Sequence, residues 1–570
     1  MVIITRHITT NVFNILQDKY SIMDPMWTRE VKLSQRKLDP LGLSRVSQWL
    51  TEELLPGITT VTSVARNYSF YTWAISNLLK MNKITGRNQF AQELTKREAA
   101  FVIGSILHEA SKTDRLNPHG YDKAIRFIKK VNDGKIQVAF NVSESNPEGF
   151  YGLYYRTAMF KLGLTIRSRL FDDLAPLGRQ LAAAFESNIK DTDYFKYYIQ
   201  DDEVDKTLLA KYGERVCICR LADPSKEREL LRNIMFSNNL QFLKLERSRK
   251  ESLLLVLSLI KQSSDFGIEF TTDTFGDAIF FGQATNGKST FNFKFKSFEE
   301  IVAHWHLFQL HEYFTFAMES LLHALLNELK KKDEGMSFDD FLSLVCNGGT
   351  SVSEALKISS IGTIKETISL LLKDYQLSEL NSDASRKFDR LCNLEKEVSE
   401  KKLFSALQKA IKSNNLQETV GNAIGILVLN YIRAYHLLND VDTITLWFTN
   451  RALQELSSVS FAQYIRSKTS MWTMNDLIRY CFKIVRDQHN SIALDKLLYG
   501  NDTYRFEEKG NSLKFKIDIY PNYPSQRSSK ISSVLSILEQ LGLIETSGNI
   551  KRLTHDGTKI LEDWLHERVD

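Results

Sequence analysis

The sequence has little of what marks specialised classes of protein. Its 570 residues include only nine prolines and five cysteines, and 74 basic residues are nearly balanced by 69 acidic ones, for a net charge of +5. Few prolines and a 43% hydrophobic content exclude long disordered stretches. The scattered cysteines form no disulfide framework, which is typical of a reducing compartment. The near balance of charge excludes a polycation, so any nucleic-acid surface must be a local patch.

Long apolar runs are also missing. The most apolar segment, Leu253–Ile260, is far shorter than the roughly 20 residues that span a bilayer. The first residues, Met1 to His7, lack the apolar stretch of a signal peptide. We therefore expect a cytoplasmic protein with no membrane partner.

The common catalytic motifs are absent as well. There is no Gly-x-Ser-x-Gly, no dinucleotide-binding Gly-x-Gly-x-x-Gly and no kinase motif set. Histidines and a glutamate recur along one predicted helix, but position 315 is Thr, so His-Glu-x-x-His is incomplete. We expect these side chains to be hydrogen-bonded inside a buried helix: His304, His311, Glu319 and His323.

Two shorter patterns contain potential metal ligands. Cys217 and Cys219 lie on a predicted strand, and no second cysteine pair follows them. His108-Glu109 lacks a second histidine because position 112 is Lys. A tetrahedral site needs about four ligands, so the sequence predicts no catalytic residue, no metal and no cofactor.

One segment matches the Walker A pattern for nucleotide phosphates. It runs from Gly282 to Thr290 and places Gly287, Lys288 and Ser289 where that pattern requires them. A working loop needs a strand before it and a helix that begins at the lysine. Residues 278–281 are predicted as the strand, but Phe291, Phe293 and Phe295 then alternate with polar residues. Asn286-Gly287 is a strong hairpin signal, so we favour a hairpin and keep nucleotide binding as an alternative.

Helical spacing of apolar residues dominates the rest of the chain. We predict a mainly α fold with small β insertions, and the length implies about three or four domains. The predicted borders are 1–188, a helical domain that ends in a candidate helix, hairpin and helix module; 189–380, helical with a β insertion at 268–296 and a buried helix at 298–330; 381–500, helical; and 501–570, a C-terminal module of helix, hairpin and helix.

The last fifty residues have the clearest order of elements. Ile531, Val534, Leu535, Leu538 and Leu541 recur at helical spacing and Gly542 follows as a helix stop. Two apolar runs then flank Ser547-Gly548-Asn549 as a hairpin, and Thr554 caps a closing helix. This helix, hairpin and helix resemble the winged-helix family. Residues 162–185 repeat the Leu-Gly-Leu start and the closing helix, and they form a second candidate copy.

The resemblance implies contacts to nucleic acid, with one helix in the major groove and the hairpin on phosphate. The basic residues at matching places, which we predict to contact phosphate, are Arg527, Lys530, Lys551 and Arg552 in the last module and Arg167 and Arg169 in the earlier one.

We therefore predict a non-catalytic subunit that binds double-stranded DNA and scaffolds a multi-protein assembly. The architecture is similar to accessory subunits of prokaryotic defence, including antiviral defence, or of chromosome maintenance. One alternative is a kleisin-like subunit that bridges a condensin-type ATPase; another is a nucleotide-binding enzyme that uses Gly282 to Ser289. The sequence leaves the oligomeric state open.

Overall fold

Helices form most of this chain, because apolar residues recur at three- and four-residue spacing over long stretches. The structure is a computed structural model that describes residues 32–33, 39–81, 84–110, 117–168, 171–236, 243–346, 349–360, 362–439, 455–519, 523–524 and 529–568. The predicted class, mainly α with small β insertions, is confirmed. In the part of the chain that the structure describes, every helix is too short or too polar to span a lipid bilayer.

The helices are numbered in chain order. In the first half they are α1 (Ser44–Leu54), α2 (Arg66–Lys80), α3 (Arg87–Glu109), α4 (Tyr121–Lys129), α5 (Arg156–Lys161), α6 (Pro176–Ile189), α7 (Lys206–Val216), α8 (Lys226–Phe236), α9 (Leu243–Asp265) and α10 (Thr272–Phe281). In the second half they are α11 (Glu299–Lys330), α12 (Phe338–Cys346), α13 (Gly349–Leu356), α14 (Ile364–Lys373), α15 (Ser382–Leu391), α16 (Glu400–Lys412), α17 (Leu416–Ala434), α18 (Ser458–Arg466), α19 (Met474–Leu498), α20 (Ile531–Gln540) and α21 (His555–Glu567).

The strands are short and form sheets of two or three strands. They are β1 (Lys32–Leu33), β2 (Lys135–Gln137), β3 (Thr165–Ile166), β4 (Asp173–Leu174), β5 (Glu203–Asp205), β6 (Gln283–Thr285), β7 (Thr290–Asn292), β8 (Met336–Ser337), β9 (Asn501–Asp502), β10 (Phe506–Lys509), β11 (Ser512–Phe515), β12 (Ile544–Ser547) and β13 (Ile550–Leu553). Strands β1 and β9 pair in parallel, whereas β10–β11, β11–β8, β12–β13, β2–β5 and β3–β4 are antiparallel.

The chain forms two compact units, each assembled from separated segments. The first contains the described residues within Met1–Leu50, Asp277–Ala284 and His304–Arg527, and the second contains those within Thr51–Gly276, Thr285–Ala303 and Ser528–Asp570. These units cut across the four consecutive domains predicted from the sequence, because the chain leaves each unit and later returns to it. The predicted borders themselves stay a prediction.

Several predicted helices are confirmed. The amphipathic helix after Pro40 is α1, and its apolar face is buried at Val46 and Leu50. The long hydrophobic helix predicted after Phe298 is α11. Two expectations were wrong. Cys217 directly follows α7 and Cys219 lies in a 3-10 helix (Ile218–Ala222), so neither is on a strand. Residues 278–281 lie in α10 and not in a strand. Their apolar residues complete a helical face that begins at Phe275, which a window of four residues does not reveal.

The first unit has a buried charged network beside its central helix. Helix α17 packs against α13 and α16, and it is buried from Thr419 to Ala434. Its Arg433 donates to both carboxylate oxygens of Glu400, at 2.6 and 3.1 Å, and both side chains are fully buried. Arg433 also donates to Asp389 at 2.9 Å, and His306 lies 3.1 Å from the same carboxylate. Burial alone would raise the pKa of Asp389, but His306 and Arg433 outweigh it and hold that pKa below its usual range.

The Arg433 network gives a stability prediction. We expect Arg433→Met to lower the free energy of unfolding by roughly 3–5 kcal/mol, because it leaves the Glu400 carboxylate buried and unpaired. Chemical denaturation followed by circular dichroism measures the loss.

Two comparison variants separate charge from packing. Replacing Arg433→Met together with Glu400→Leu should recover most of the loss, because the Glu400 carboxylate is then gone and Asp389 keeps His306 at 3.1 Å. Arg386→Ala, at an exposed position on α15, should change stability by less than about 0.5 kcal/mol. A double variant as unstable as the single one would contradict this account.

Candidate functional site

The C-terminal module has the order of elements that the sequence predicts. Helix α20 ends before Gly542, which takes a left-handed φ of 67°. Strands β12 and β13 pair from Ile544 opposite Leu553 to the turn at Ser547 and Ile550. Thr554 then caps α21 by accepting a hydrogen bond from the Gly557 amide at 3.2 Å. The predicted helix, hairpin and closing helix are therefore present.

A second copy of this arrangement lies between α5 and α6. Gly163 also takes a φ of 67°, and β3 pairs with β4 with Thr165 opposite Leu174. The backbone hydrogen bonds match those of the last module. The Leu164 amide donates to Met159 at 3.0 Å as Leu543 donates to Leu538 at 2.9 Å, and the Leu164 and Leu543 carbonyls accept from Ala175 at 3.0 Å and Thr554 at 3.1 Å.

A close backbone approach strengthens this equivalence. Gly178 in α6 follows Leu164 by the same number of residues as Gly557 in α21 follows Leu543. A Cβ atom added at Gly178 would overlap the Leu164 carbonyl oxygen, and one added at Gly557 would overlap that of Leu543. Each closing helix thus packs against a Leu-Gly-Leu turn at a distance that only a glycine in the helix permits. The two segments are copies of one backbone motif, which we call the hairpin modules.

The basic residues of the hairpins are partly or fully accessible. Arg552 is exposed and lies opposite Glu545 on the neighbouring strand. Lys551 is half-buried, and its ammonium group donates to the Thr546 hydroxyl at 3.0 Å. In the earlier module Arg167 is exposed, and its guanidinium lies 4.7 Å from the centre of the Phe160 ring. Arg167 and Arg552 are therefore exposed on the two hairpins, whereas Lys551 is partly covered.

Helix α20, which was expected to enter the major groove, is mostly buried. Lys530 precedes α20, but it is only 8% exposed, and burial lowers its pKa to about 8. In α20 itself only Ser532 and Glu539 are exposed. This helix therefore presents almost no surface to a nucleic acid. Arg527 and Arg169 lie outside the described residues.

The Walker-like segment forms a turn and not a phosphate loop. Strands β6 and β7 pair, and the Asn286 side chain accepts from the amides of Lys288 and Ser289 at 3.0 Å each. Those amides would have to face a phosphate in a nucleotide site. The segment follows α10, and strand β7 comes after Lys288 instead of a helix. Gly282, Gly287, Lys288 and Ser289 thus lack the required geometry, and the predicted hairpin is confirmed.

Residues considered for other chemistry are packed into the interior. The basic and aromatic residues that lie close together in α2 are all buried: Arg66, Asn67, Tyr68, Tyr71 and Trp73. In α11, the buried His311 lies 3.2 Å from the Leu43 carbonyl oxygen and 3.4 Å from the Thr315 hydroxyl. These contacts are those of a hydrogen-bonded core histidine.

The structure also brings together two patterns that the sequence left apart. The ligand atoms of His108, Glu109, Cys217 and Cys219 all lie within 4.8 Å of one another. The Cys217 thiol donates to the Glu109 carboxylate at 3.2 Å across a separation of 108 residues. The neighbouring Cys219 thiol and burial together raise the pKa of Cys217 well above its ordinary value. Sequence reasoning found each pair but not their meeting, because no local spacing encodes it.

Comparison with protein-family models, with curated proteins and with solved structures finds no match to this chain.

The seating of the closing helices can be tested at each module separately. We expect Gly557→Ala and Gly178→Ala each to lower the free energy of unfolding by about 1–3 kcal/mol, because the new methyl group meets a backbone carbonyl that cannot rotate away. Thermal denaturation of the two variants measures both losses.

A third glycine supplies the control. Gly86 has an extended φ of −157°, and an added Cβ atom would have nothing within 4 Å, so Gly86→Ala should change stability by less than about 1 kcal/mol. If only one of the two module variants were destabilised, the modules would not be equivalent.

Proposed function

We propose that this chain is a non-catalytic subunit that holds double-stranded DNA by its phosphate backbone and scaffolds a larger intracellular assembly. The observation that carries the proposal is the duplication of the hairpin module within one unit, each copy with a basic residue exposed on its hairpin. Two copies of one small motif give two contact points, and linked contacts raise the effective concentration for the second one.

The proposed contact is made by the hairpins and not by a helix. Because α20 exposes only Ser532 and Glu539, it offers no row of side chains for reading base edges. Arg167, Lys551 and Arg552 can instead meet phosphates, which carry no sequence information directly. The proposed binding is therefore independent of DNA sequence and sensitive to salt.

The winged-helix resemblance indicates the kind of assembly to which we propose that this chain belongs. Accessory subunits of prokaryotic defence or chromosome-maintenance systems combine such modules with helical scaffolds. A kleisin-like role, in which the modules dock on an ATPase partner, is the second candidate. It is favoured by Ile166, which is 52% exposed beside Arg167 on the first hairpin and suits a protein contact. The nucleotide-binding alternative has no support, since a strand and not a helix follows Lys288.

The DNA proposal predicts a loss of affinity on removing three charges. We expect Arg167→Ala, Lys551→Ala and Arg552→Ala in one chain to weaken binding to a labelled duplex of arbitrary sequence by at least about tenfold at low salt. The slope of log affinity against log salt should fall by about 2–3, since each lost phosphate contact contributes roughly 0.9. Fluorescence anisotropy at several salt concentrations measures both quantities.

The matched control removes three exposed charges elsewhere in the same unit. Lys288→Ala, Lys294→Ala and Lys296→Ala lie in the segment around β7 and give the same change in net charge. This variant should bind like the unchanged chain. Equal effects of the two triple variants would mean that general charge, and not the hairpins, attracts DNA. Absence of binding by the unchanged chain at low salt would favour the kleisin-like docking role.

A further inference from the structure

Two helices cross closely beside the His108, Glu109, Cys217 and Cys219 cluster. Helix α3 packs on α7 where Gly104 meets Gly213: a Cβ atom added at Gly104 would lie 3.2 Å from the Gly213 Cα, and one added at Gly213 would overlap the Gly104 carbonyl. The absence of side chains at both positions lets the backbones touch. The crossing brings the C-terminal ends of the two helices together.

The four side chains extend from those two ends. His108 and Glu109 are the last residues of α3, and Cys217 is the first residue after α7. Cys219 follows in a short 3-10 helix at Ile218–Ala222. Glu109 and Cys217 are buried, whereas His108 and Cys219 are half-buried. The cluster therefore has an inner side within the core and an outer side through which an ion can enter.

A further contact fixes the position of the Cys217 backbone. The buried Arg66 guanidinium donates to the Cys217 carbonyl oxygen and is itself paired with Glu227 at 3.2 Å. The Cys217 amide donates to Gly213 at 3.0 Å. With both backbone groups held, the thiol has little freedom to leave the cluster.

The chemistry of the four groups suits a divalent cation that prefers sulfur and nitrogen. We propose that His108, Glu109, Cys217 and Cys219 form a zinc-binding site. Two thiolates, one imidazole and one carboxylate are ligands that zinc accepts, and four protein ligands leave no open position, as in structural sites. The negative ends of two helix dipoles also favour a cation there.

Zinc fits this set better than the hard cations. Calcium and magnesium take oxygen ligands, and the cluster offers only one carboxylate among its four side chains. Thiolate ligands select zinc, copper(I) or iron–sulfur clusters, and a mixed tetrahedral sulfur and nitrogen set is typical of zinc. The site joins α3 to the segment after α7, so zinc would fasten these two segments within the second unit.

The test measures metal binding by the whole chain. The protein is stripped with a chelator under reducing conditions and titrated with Zn²⁺ and, separately, with Co²⁺. We expect one ion per chain by elemental analysis, a higher melting temperature with Zn²⁺, and a Co²⁺ spectrum with thiolate charge-transfer and tetrahedral bands. Cys219→Ser should weaken Zn²⁺ binding by more than about 100-fold, because even residues behind the ligands change affinity 10- to 100-fold.

Controls address folding and other cysteines. Cys346→Ser changes a cysteine outside the cluster and should keep full binding. Glu109→Gln keeps the shape of the side chain and removes its charge, so it tests the site if the cysteine variant does not fold. A stripped wild-type chain that binds no Zn²⁺, a Co²⁺ spectrum without thiolate bands, or a Cys217–Cys219 disulfide found under these reducing conditions would overturn the proposal. Undiminished binding by a folded Cys219→Ser variant would overturn it too.

Discussion

The buried ion pair between Arg66 and Glu227 organises the second unit. Both side chains are about 1% exposed, and the guanidinium meets the two carboxylate oxygens at 3.2 Å each. A charge this deep is tolerated only when it is paired and its remaining hydrogen-bonding groups are satisfied. Asn188 supplies a further donor to Glu227 at 2.8 Å, and the guanidinium lies 5.2 Å from the centre of the Phe185 ring. Helices α2, α6 and α8 are therefore held in one arrangement.

The same pair connects the scaffold to the proposed zinc site. Arg66 also donates to the Cys217 carbonyl oxygen. The arginine that holds the core helices together therefore also positions Cys217, one of the proposed zinc ligands. The first unit uses a similar device, since Arg433 is fully buried against Glu400 and Asp389. In both units one buried arginine donates hydrogen bonds to several segments of the chain at once. Its planar guanidinium group allows this because it carries five N–H donors.

The hairpin modules show how one backbone motif can be used twice with different surfaces. Both copies share the left-handed glycine, the backbone hydrogen bonds and the seated closing helix. The first presents Ile166 and Arg167 on its hairpin, whereas the second presents Arg552 and Glu545. The shared backbone fixes the shape, and the exposed residues leave each copy free to contact a different partner.

The sequence by itself determined the helical class, the principal helices and the order of the terminal module. These depend on local signals, namely apolar spacing, a glycine stop and a threonine cap, and such signals act over a few residues. The local signals also identified the Asn286-Gly287 turn. They failed for residues 278–281, whose four apolar residues fit a strand or a buried helix equally well.

Only the tertiary structure decided which predicted residues reach the surface and which distant ones meet. Lys530 has the sequence context of a helix start, yet packing buries it, because burial depends on neighbours that a local pattern does not contain. His108-Glu109 and Cys217-x-Cys219 are each incomplete as metal motifs. They meet because Gly104 and Gly213 allow two helices to touch, and that contact exists only once the chain has folded.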